Sequence, residues 1–233
     1  YLARINPQKQ QGVELTIYNL VGSGQMIEST ALRLFLNSKD IYFIRPIHEQ
    51  VHRNGAPLYY GHFTDFPIYH TGYLPEVRKS KQKSKRNMAI FEALQTQRTL
   101  NPYETFTLGN EYKALGKFRE AAEQYERAYR PNGTARWDIH CAYSLVQSLF
   151  NAGSFTKALR YTDDAIRRWP DSTDFYYLKG LFLKELGLEQ EAIPLFEKCL
   201  QMAEKSGSTK FWLLNPDTGI TWPNLNLYEL YNE

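Results

Sequence analysis

Residues 116–128 read GKFREAAEQYERA, residues 153–165 read GSFTKALRYTDDA and residues 187–199 read GLEQEAIPLFEKC. Superimposed on their glycines, the three segments keep Ala121, Ala158 and Ala192 in register, five residues after Gly116, Gly153 and Gly187. Seven residues further on they keep Ala128, Ala165 and Cys199 in register. The glycines are 37 and then 34 residues apart. Small residues at a fixed period have a mechanical job: they let two helix backbones approach. A large side chain such as Tyr125 or Phe196 then fills the space beside them. The apolar period in these units is helical, which predicts helix pairs over 102–115 with 117–130, 136–152 with 154–169, and 173–186 with 189–204.

A period near 34 residues with two helices per unit resembles the tetratricopeptide repeat. Leu108-Gly109 and Tyr112 in the first unit, Leu145 and Pro170 in the second, and Tyr176 and Gly180 in the third extend the likeness. The longer first spacing places the extra residues in the turn Pro131-Asn132-Gly133. After Lys205 the pattern stops. Trp212, Trp222 and the Leu and Tyr residues that follow suit a C-terminal cap, because a solenoid must cover its last apolar face.

The first 77 residues have a different grammar. Val13–Leu20, Ala31–Leu36, Ile41–Ile44 and Phe63–His70 read as strands, and Pro67 puts the last at an edge or a bulge. Residues 78–86, RKSKQKSKR, hold six Lys or Arg in nine positions and read as a linker or helix entry. The organisation expected is therefore 1–77 β-rich, 78–100 basic linker and helix, 101–204 three helix pairs, and 205–233 cap.

Composition sets outer limits. At 233 residues with 42% hydrophobic and 23% charged side chains, the chain can bury a core. No apolar run approaches a membrane span, and mean hydropathy is −0.53, so no integral membrane segment is expected. Cys141 and Cys199 are too few for a disulfide framework or a cysteine zinc site, which fits a reducing, cytoplasmic setting. A net charge of +3 gives no argument for nucleic acid, and the basic run lacks interleaved aromatics, so no nucleic acid partner is expected.

Two clusters bear on chemistry. His48-Glu49-Gln50-Val51-His52 fits H-E-x-x-H, which binds zinc when a helix puts both His on one face. Pro46 before it and Asn54-Gly55-Ala56-Pro57 after it deny that helix, so zinc on His48 and His52 is not expected and the stretch reads as a polar turn between strands. The second cluster is Ile68-Tyr69-His70-Thr71-Gly72-Tyr73. A His at a strand end, followed by Gly and cations, suits a diphosphate or a divalent metal.

The order Arg33-Leu34-Phe35, Ile47-His48-Glu49, Tyr69-His70-x-Gly72-Tyr73, basic segment, Arg86-Asn87, helix and repeats resembles the C-terminal part of bacterial family 2 glycosyltransferases with appended tetratricopeptide repeats. The stretch from about Ala31 to Tyr129 carries the likeness. That family includes enzymes that glycosylate peptides and surface polymers. The resemblance implies a GT-A fold, of which this chain would hold only the acceptor-side end: an α+β segment with part of a mixed sheet, followed by an all-α solenoid. Asp163-Asp164, the only adjacent Asp pair, falls in a repeat helix, so the family's Asp-x-Asp motif is not here and the chain alone is expected to be inactive. By the resemblance, His70 meets the metal (Mg2+ or Mn2+) and the donor diphosphate, with Lys79, Lys81 and Arg86 on the same phosphates. His48 and Glu49 line the acceptor side, Glu49 as general base. The implied partners are a nucleotide sugar and a peptide, protein or glycan acceptor, with the repeats binding the acceptor, another protein or a second copy. The other reading is a non-enzymatic repeat scaffold that binds a peptide partner.

Overall fold

The structure, a computed structural model, describes residues 12–22, 25–47, 49–58, 60–72, 74, 83–206, 214 and 216–232. The chain forms two compact units, Tyr1–Ala93 and Leu94–Glu233.

In the first unit, strands β1 (Gly12–Gly22), β2 (Gln25–Phe35) and β6 (Tyr60–His70) form a mixed sheet in the order β2-β1-β6. β1 runs antiparallel to β2 and parallel to β6. As the central strand it is buried at Val13, Leu15 and Ile17, and at Thr16 as well. The β-rich run Val13–Leu20 was legible as a strand. Its partner is longer than expected: β2 begins at Gln25, not Ala31. Residues Met26–Thr30 are exposed and polar in part, so they lack the alternation that marks a strand, yet they pair with Thr16–Leu20 across the hairpin. β6 is an edge strand, and its register against β1 breaks between Leu15 and Ile17, opposite the stretch that contains Pro67. A residue without an N–H is tolerated at such a place.

A second sheet is a meander of β3 (Ile41–Ile44), β4 (Gln50–Arg53) and β5 (Ala56–Pro57). Here the reading of residues 48–52 as a polar turn is corrected, because Gln50, Val51 and His52 belong to β4. His52 pairs with Tyr42 and Pro57. The left-handed Asn54 and Gly55 make the tight return to β5. Helix α1 (Lys83–Gln97) follows and buries Asn87 and Phe91. The end of the basic run is therefore helical, while residues 78–82 lie outside the described residues.

The second unit is a stack of helix pairs: α2 (Pro102–Ala114) with α3 (Phe118–Ala128), α4 (Asp138–Asn151) with α5 (Phe155–Arg168), and α6 (Thr173–Glu185) with α7 (Glu189–Ser206). Each first helix ends the same way. Gly116, Gly153 and Gly187 have φ of 72°, 75° and 74°. Around each, the glycine N–H and the next N–H close back onto the helix. Gly116 and Lys117 donate to Lys113 O and Tyr112 O, both at 3.0 Å, and the other two turns repeat the pattern. This is a Schellman closure, and it needs a residue at ease in the left-handed region. Ala121, Ala158 and Ala192 are fully buried, as expected of seam residues.

The first helices also start on buried acids. Asn101 and Glu104 form a capping box, and Glu104 takes a bidentate bond from Arg98 at 2.7 and 2.8 Å. Asp138 accepts from Arg130 at 2.9 and 3.0 Å and from the Ala135 N–H at 2.6 Å. The extra residues of the first spacing do lie between α3 and α4. Gly133 donates to Arg130 O there, and a Cβ on Gly133 would stand 2.6 Å from the Asp138 carboxylate. Arg168 from the next pair donates to Arg130 O at 2.8 Å and to Gly133 O.

After α7, a 3-10 turn (Pro216–Thr218) leads to α8 (Thr221–Asn232). Trp222 and Leu227 pack with Tyr177 and Phe196. Asp174, fully buried, accepts from the Leu214 N–H at 3.2 Å, and Thr173 and Thr218 share a buried 2.8 Å bond. The tail is thus tied to the start of α6 by buried polar groups. No helix among the described residues is long and apolar enough to cross a membrane.

Candidate functional site

The described site residues centre on the sheet of the first unit. Asn19 is mid-strand in β1 and buried at 7% exposure. Its register partners are Ile27 on β2 and His70 on β6. A buried amide must satisfy its polar atoms, and Asn19 does so across both neighbours. Nδ2 donates to Ile27 O at 3.0 Å and to Ser29 Oγ at 2.8 Å. Oδ1 lies 2.9 Å from His70 Nδ1. His70 is exposed at the end of β6, and Gly72 follows it closely enough that a Cβ there would overlap His70 Nε2. One position back along the same two strands, the rings of Tyr18 and Tyr69 stand 5.6 Å apart.

The other residues read from the sequence are placed separately. Glu49 is exposed just before β4, in the other sheet, and lies outside the Asn19–His70 network. His48, Lys79 and Lys81 lie outside the described residues. Arg86 is exposed on α1, with Nη2 3.5 Å from Asn87 Oδ1. His52 is in a strand, not a helix, and its Nε2 is buried without a hydrogen-bond partner among the described residues. Near it, hydrogen bonds from Ser38 and from Arg53, the latter at 2.5 Å, hold the Asp40 carboxyl below its usual range. Arg45, between Glu49 and β3, is left-handed at φ 67°. Asn19 is the residue that sequence reading missed. A polar amide in the middle of a β-rich run was the available signal, but its meaning depends on the register of three strands.

A divalent metal implied by the resemblance can be tested against these residues. Among those described, no group of three or more His, Cys, Asp or Glu side chains comes together. His70 is one imidazole, and Gly72 packs against its Nε2 edge. The described residues thus bring at most one side-chain nitrogen to a metal whose other ligands would be oxygens of a diphosphate.

The comparisons agree with two parts of this picture. A family model described as tetratricopeptide repeat matches residues 143–207, and another of that description matches residues 106–130. The helical unit carries tetratricopeptide repeats. Among curated proteins, the SPbeta prophage-derived glycosyltransferase SunS of Bacillus subtilis (strain 168) is similar, at 24% identity over 164 residues. Glycosyltransferase SunS of Bacillus phage SPbeta matches equally. The match covers 69% of this chain and 39% of each relative, so the chain spans about two fifths of their length. Solved structures similar to part of the chain include MamA protein (20% identity, TM-score 0.48, 58% of this chain and 74% of that one). YrrB, described as a TPR protein with an unusual peptide-binding site, has 19% identity and a TM-score of 0.48, covering 55% of this chain and 65% of its own.

Proposed function

We propose that this chain is the acceptor-side end of a glycosyltransferase catalytic domain joined to its tetratricopeptide repeats. The observation that supports this most is the extent of the match to the two glycosyltransferases. At 164 residues it is longer than the whole stretch from Asn101 to Glu233, so it takes in residues ahead of the first repeat. Repeat periodicity alone would not produce that.

In this reading, Glu49 is the general base. It takes the proton from an acceptor hydroxyl or thiol as the new bond to the anomeric carbon forms and the bond to the leaving diphosphate breaks. His48 lines the same acceptor side. His70, Lys79, Lys81 and Arg86 face the diphosphate, where cationic and imidazole groups offset its developing charge. A bound Mg2+ or Mn2+ supplies Lewis-acid neutralisation of the same oxygens. The repeats hold a peptide, protein or glycan acceptor, or a protein partner. The family is a GT-A family 2 enzyme, and its setting is cytoplasmic.

The test is a transfer assay on the longer protein that contains these residues, beside the 233-residue chain alone. Sugar-nucleotide binding and turnover by the longer protein, and neither by the chain, is the expected result. A longer protein that consumes no nucleotide sugar, with residues 94–233 binding a peptide partner, would establish the scaffold reading instead.

A further inference from the structure

We propose that the edge of the helical unit where α1, α3 and α5 end is a docking surface for an acidic segment of a partner polypeptide, held by Arg98, Arg127, Arg130, Arg136 and Arg168. The inference rests on the unit Leu94–Glu233 alone, so it does not depend on the glycosyltransferase reading.

The stacking of antiparallel helix pairs brings these residues together. Arg98 follows α1 and lines, with Gln97, Thr99 and Arg127, a cleft of about 410 Å3. Arg127 is in the last turn of α3, and Arg130 lies just beyond it. Arg168 ends α5, and its guanidinium donates to Arg130 O at 2.8 Å, so the ends of α3 and α5 are adjacent. Arg136 is exposed in the connection that leads from Arg130 to α4.

Cations are common at helix C-termini, where they offset the dipole. Two features set this edge apart. The acids that share it are buried and the guanidiniums are not: Glu104 is 8% exposed and its partner Arg98 46%. Asp138 and Arg130 repeat the arrangement, and Asp138 takes Nε and Nη2 of Arg130, which leaves Nη1 without an acceptor among the described residues. The second feature is charge without a counter-charge. Arg127, Arg136 and Arg168 have no carboxylate at ion-pair distance among the described residues. Arg127 donates to the Gln124 amide oxygen, and Arg168 to two backbone carbonyls. A carboxylate arriving there gains an ion pair without displacing one. The guanidiniums are also held in place. Arg130 lies over Trp137 at 4.6 Å and Arg168 over Trp169 at 4.3 Å.

The surroundings favour carboxylates on a polypeptide over other polyanions. Single-stranded nucleic acid needs open aromatic faces on which its bases stack. Here Trp137 is packed between Arg130 and Phe106, and Trp169 between Arg168 and Phe175. Surface binding to a membrane combines cations with exposed apolar side chains. Large hydrophobic side chains are exposed on α8, at Leu225 and Tyr228, but not within residues 94–100, 127–137 or 167–170.

The experiment measures, by fluorescence anisotropy, the binding of a fluorescein-labelled peptide of alternating Glu and Ser to the 233-residue chain. A length of about twelve residues reaches ~40 Å when extended, enough to pass three helix ends of ~10 Å each. Two double variants are compared. Arg127→Gln with Arg136→Gln removes two cations from the edge. Lys117→Gln with Arg119→Gln removes two from the other end of α3, so net charge falls equally. All four side chains are exposed and none pairs with an acid among the described residues, so both variants should fold. The wild-type chain is expected to bind the peptide, less tightly as salt rises. The edge variant should weaken binding about three- to tenfold and the control variant less than about twofold. Equal losses would reduce the effect to net charge and overturn the role of the edge. No loss in either variant would overturn it too, and would assign the peptide to the basic run at residues 78–86. A wild-type chain that ignores the peptide but binds phosphatidylserine vesicles or oligothymidylate, or binds none of them, overturns the choice of an acidic polypeptide.

Discussion

Gly109 lies against the ring of Tyr125: a Cβ added to the glycine would stand 2.6 Å from Tyr125 Cε1. Gly180 has the same relation to Phe196, at 2.8 Å. The middle unit solves the same packing problem in reverse. In the register of the glycine it has Val146, and in the register of the aromatic it has Thr162; both are fully buried. A large ring against no side chain, or a branched side chain against a small one, gives two fillings of one seam.

Gly109→Ala should therefore destabilise the protein although alanine is the better helix former. Propensity favours the change by about 1 kcal/mol. Overpacking opposes it by about 1–3 kcal/mol. Tyr125 has no room to yield, being fully buried with its hydroxyl 2.7 Å from Asn110 Oδ1. A net loss of about 1 kcal/mol is expected in urea unfolding. Gly109→Val with Tyr125→Thr copies the middle unit, and its cost should fall below the sum of the single changes by about 1 kcal/mol or more. Simple additivity would sink the idea of exchangeable fillings.

The repeats were legible because their cues are local. Ala121, Ala158 and Ala192 recur at a fixed distance from glycines whose left-handed φ ends each first helix, and no distant partner is needed to see either. The first unit was harder for the opposite reason. Met26–Thr30 become strand only by pairing with β1, and Gln50–Arg53 only by lying between Ile41–Ile44 and Ala56–Pro57. Likewise the place of His70 was readable, as a strand-end histidine before glycine. Its hydrogen-bond partner Asn19, 51 residues away, was not. The Val146 and Thr162 pair escaped because a compensated swap erases the small-residue signal at that position.

Gly116 should resist replacement for a reason unrelated to packing. Nothing lies within 4 Å of the Cβ it lacks, yet its φ is 72°. Gly116→Ala should cost about 1–2 kcal/mol through the left-handed backbone alone. Gly116→Asn should cost less, since asparagine tolerates that region. Equal losses for the two, measured by thermal unfolding, would argue against the backbone explanation.

Asp138 ties the long α3–α4 connection together. Its side chain is 3% exposed and paired with an Arg130 that is 43% exposed. Asp138→Ala removes the acceptor for Arg130 and for the Ala135 N–H, at a cost of about 2 kcal/mol. Backbone exchange should rise across residues 129–137 and little elsewhere. A global loss without local exchange would deny the carboxylate this fastening role.

Both thiols should be silent in the folded protein. Burial, with Asp138 near one and Asp174 near the other, pushes Cys141 and Cys199 up to about 12. At about pH 8 only about one thiol in ten thousand would then be thiolate, the reactive form. Ellman's reagent should label neither in buffer and both in denaturant. Rapid reaction of one equivalent under native conditions would contradict the packing of the corresponding seam.

Lys113 gives a pH dependence of defined sign. Its Nζ donates to Gln147 Oε1 at 2.6 Å, and burial lowers its pKa below the ordinary 10.5. The folded state therefore releases this proton at a lower pH than the unfolded chain does. Between the lowered value and 10.5 the unfolded state binds more protons, so this residue's contribution to stability rises with pH through that window. Below it, the fold bears the full cost of holding a partly desolvated ammonium. Lys113→Met removes the ionisation and keeps an unbranched side chain. It should stabilise the protein by roughly 1 kcal/mol at neutral pH, net of the lost bond to Gln147. That advantage should shrink in urea unfolding as pH rises through the lowered value toward 10.5, as the wild-type amine becomes neutral in the fold. Cysteine and tyrosine ionisation in the same range acts on both proteins alike, so the difference between them isolates Lys113. A difference that stays constant with pH would mean that the ammonium is not held at a cost in the folded state.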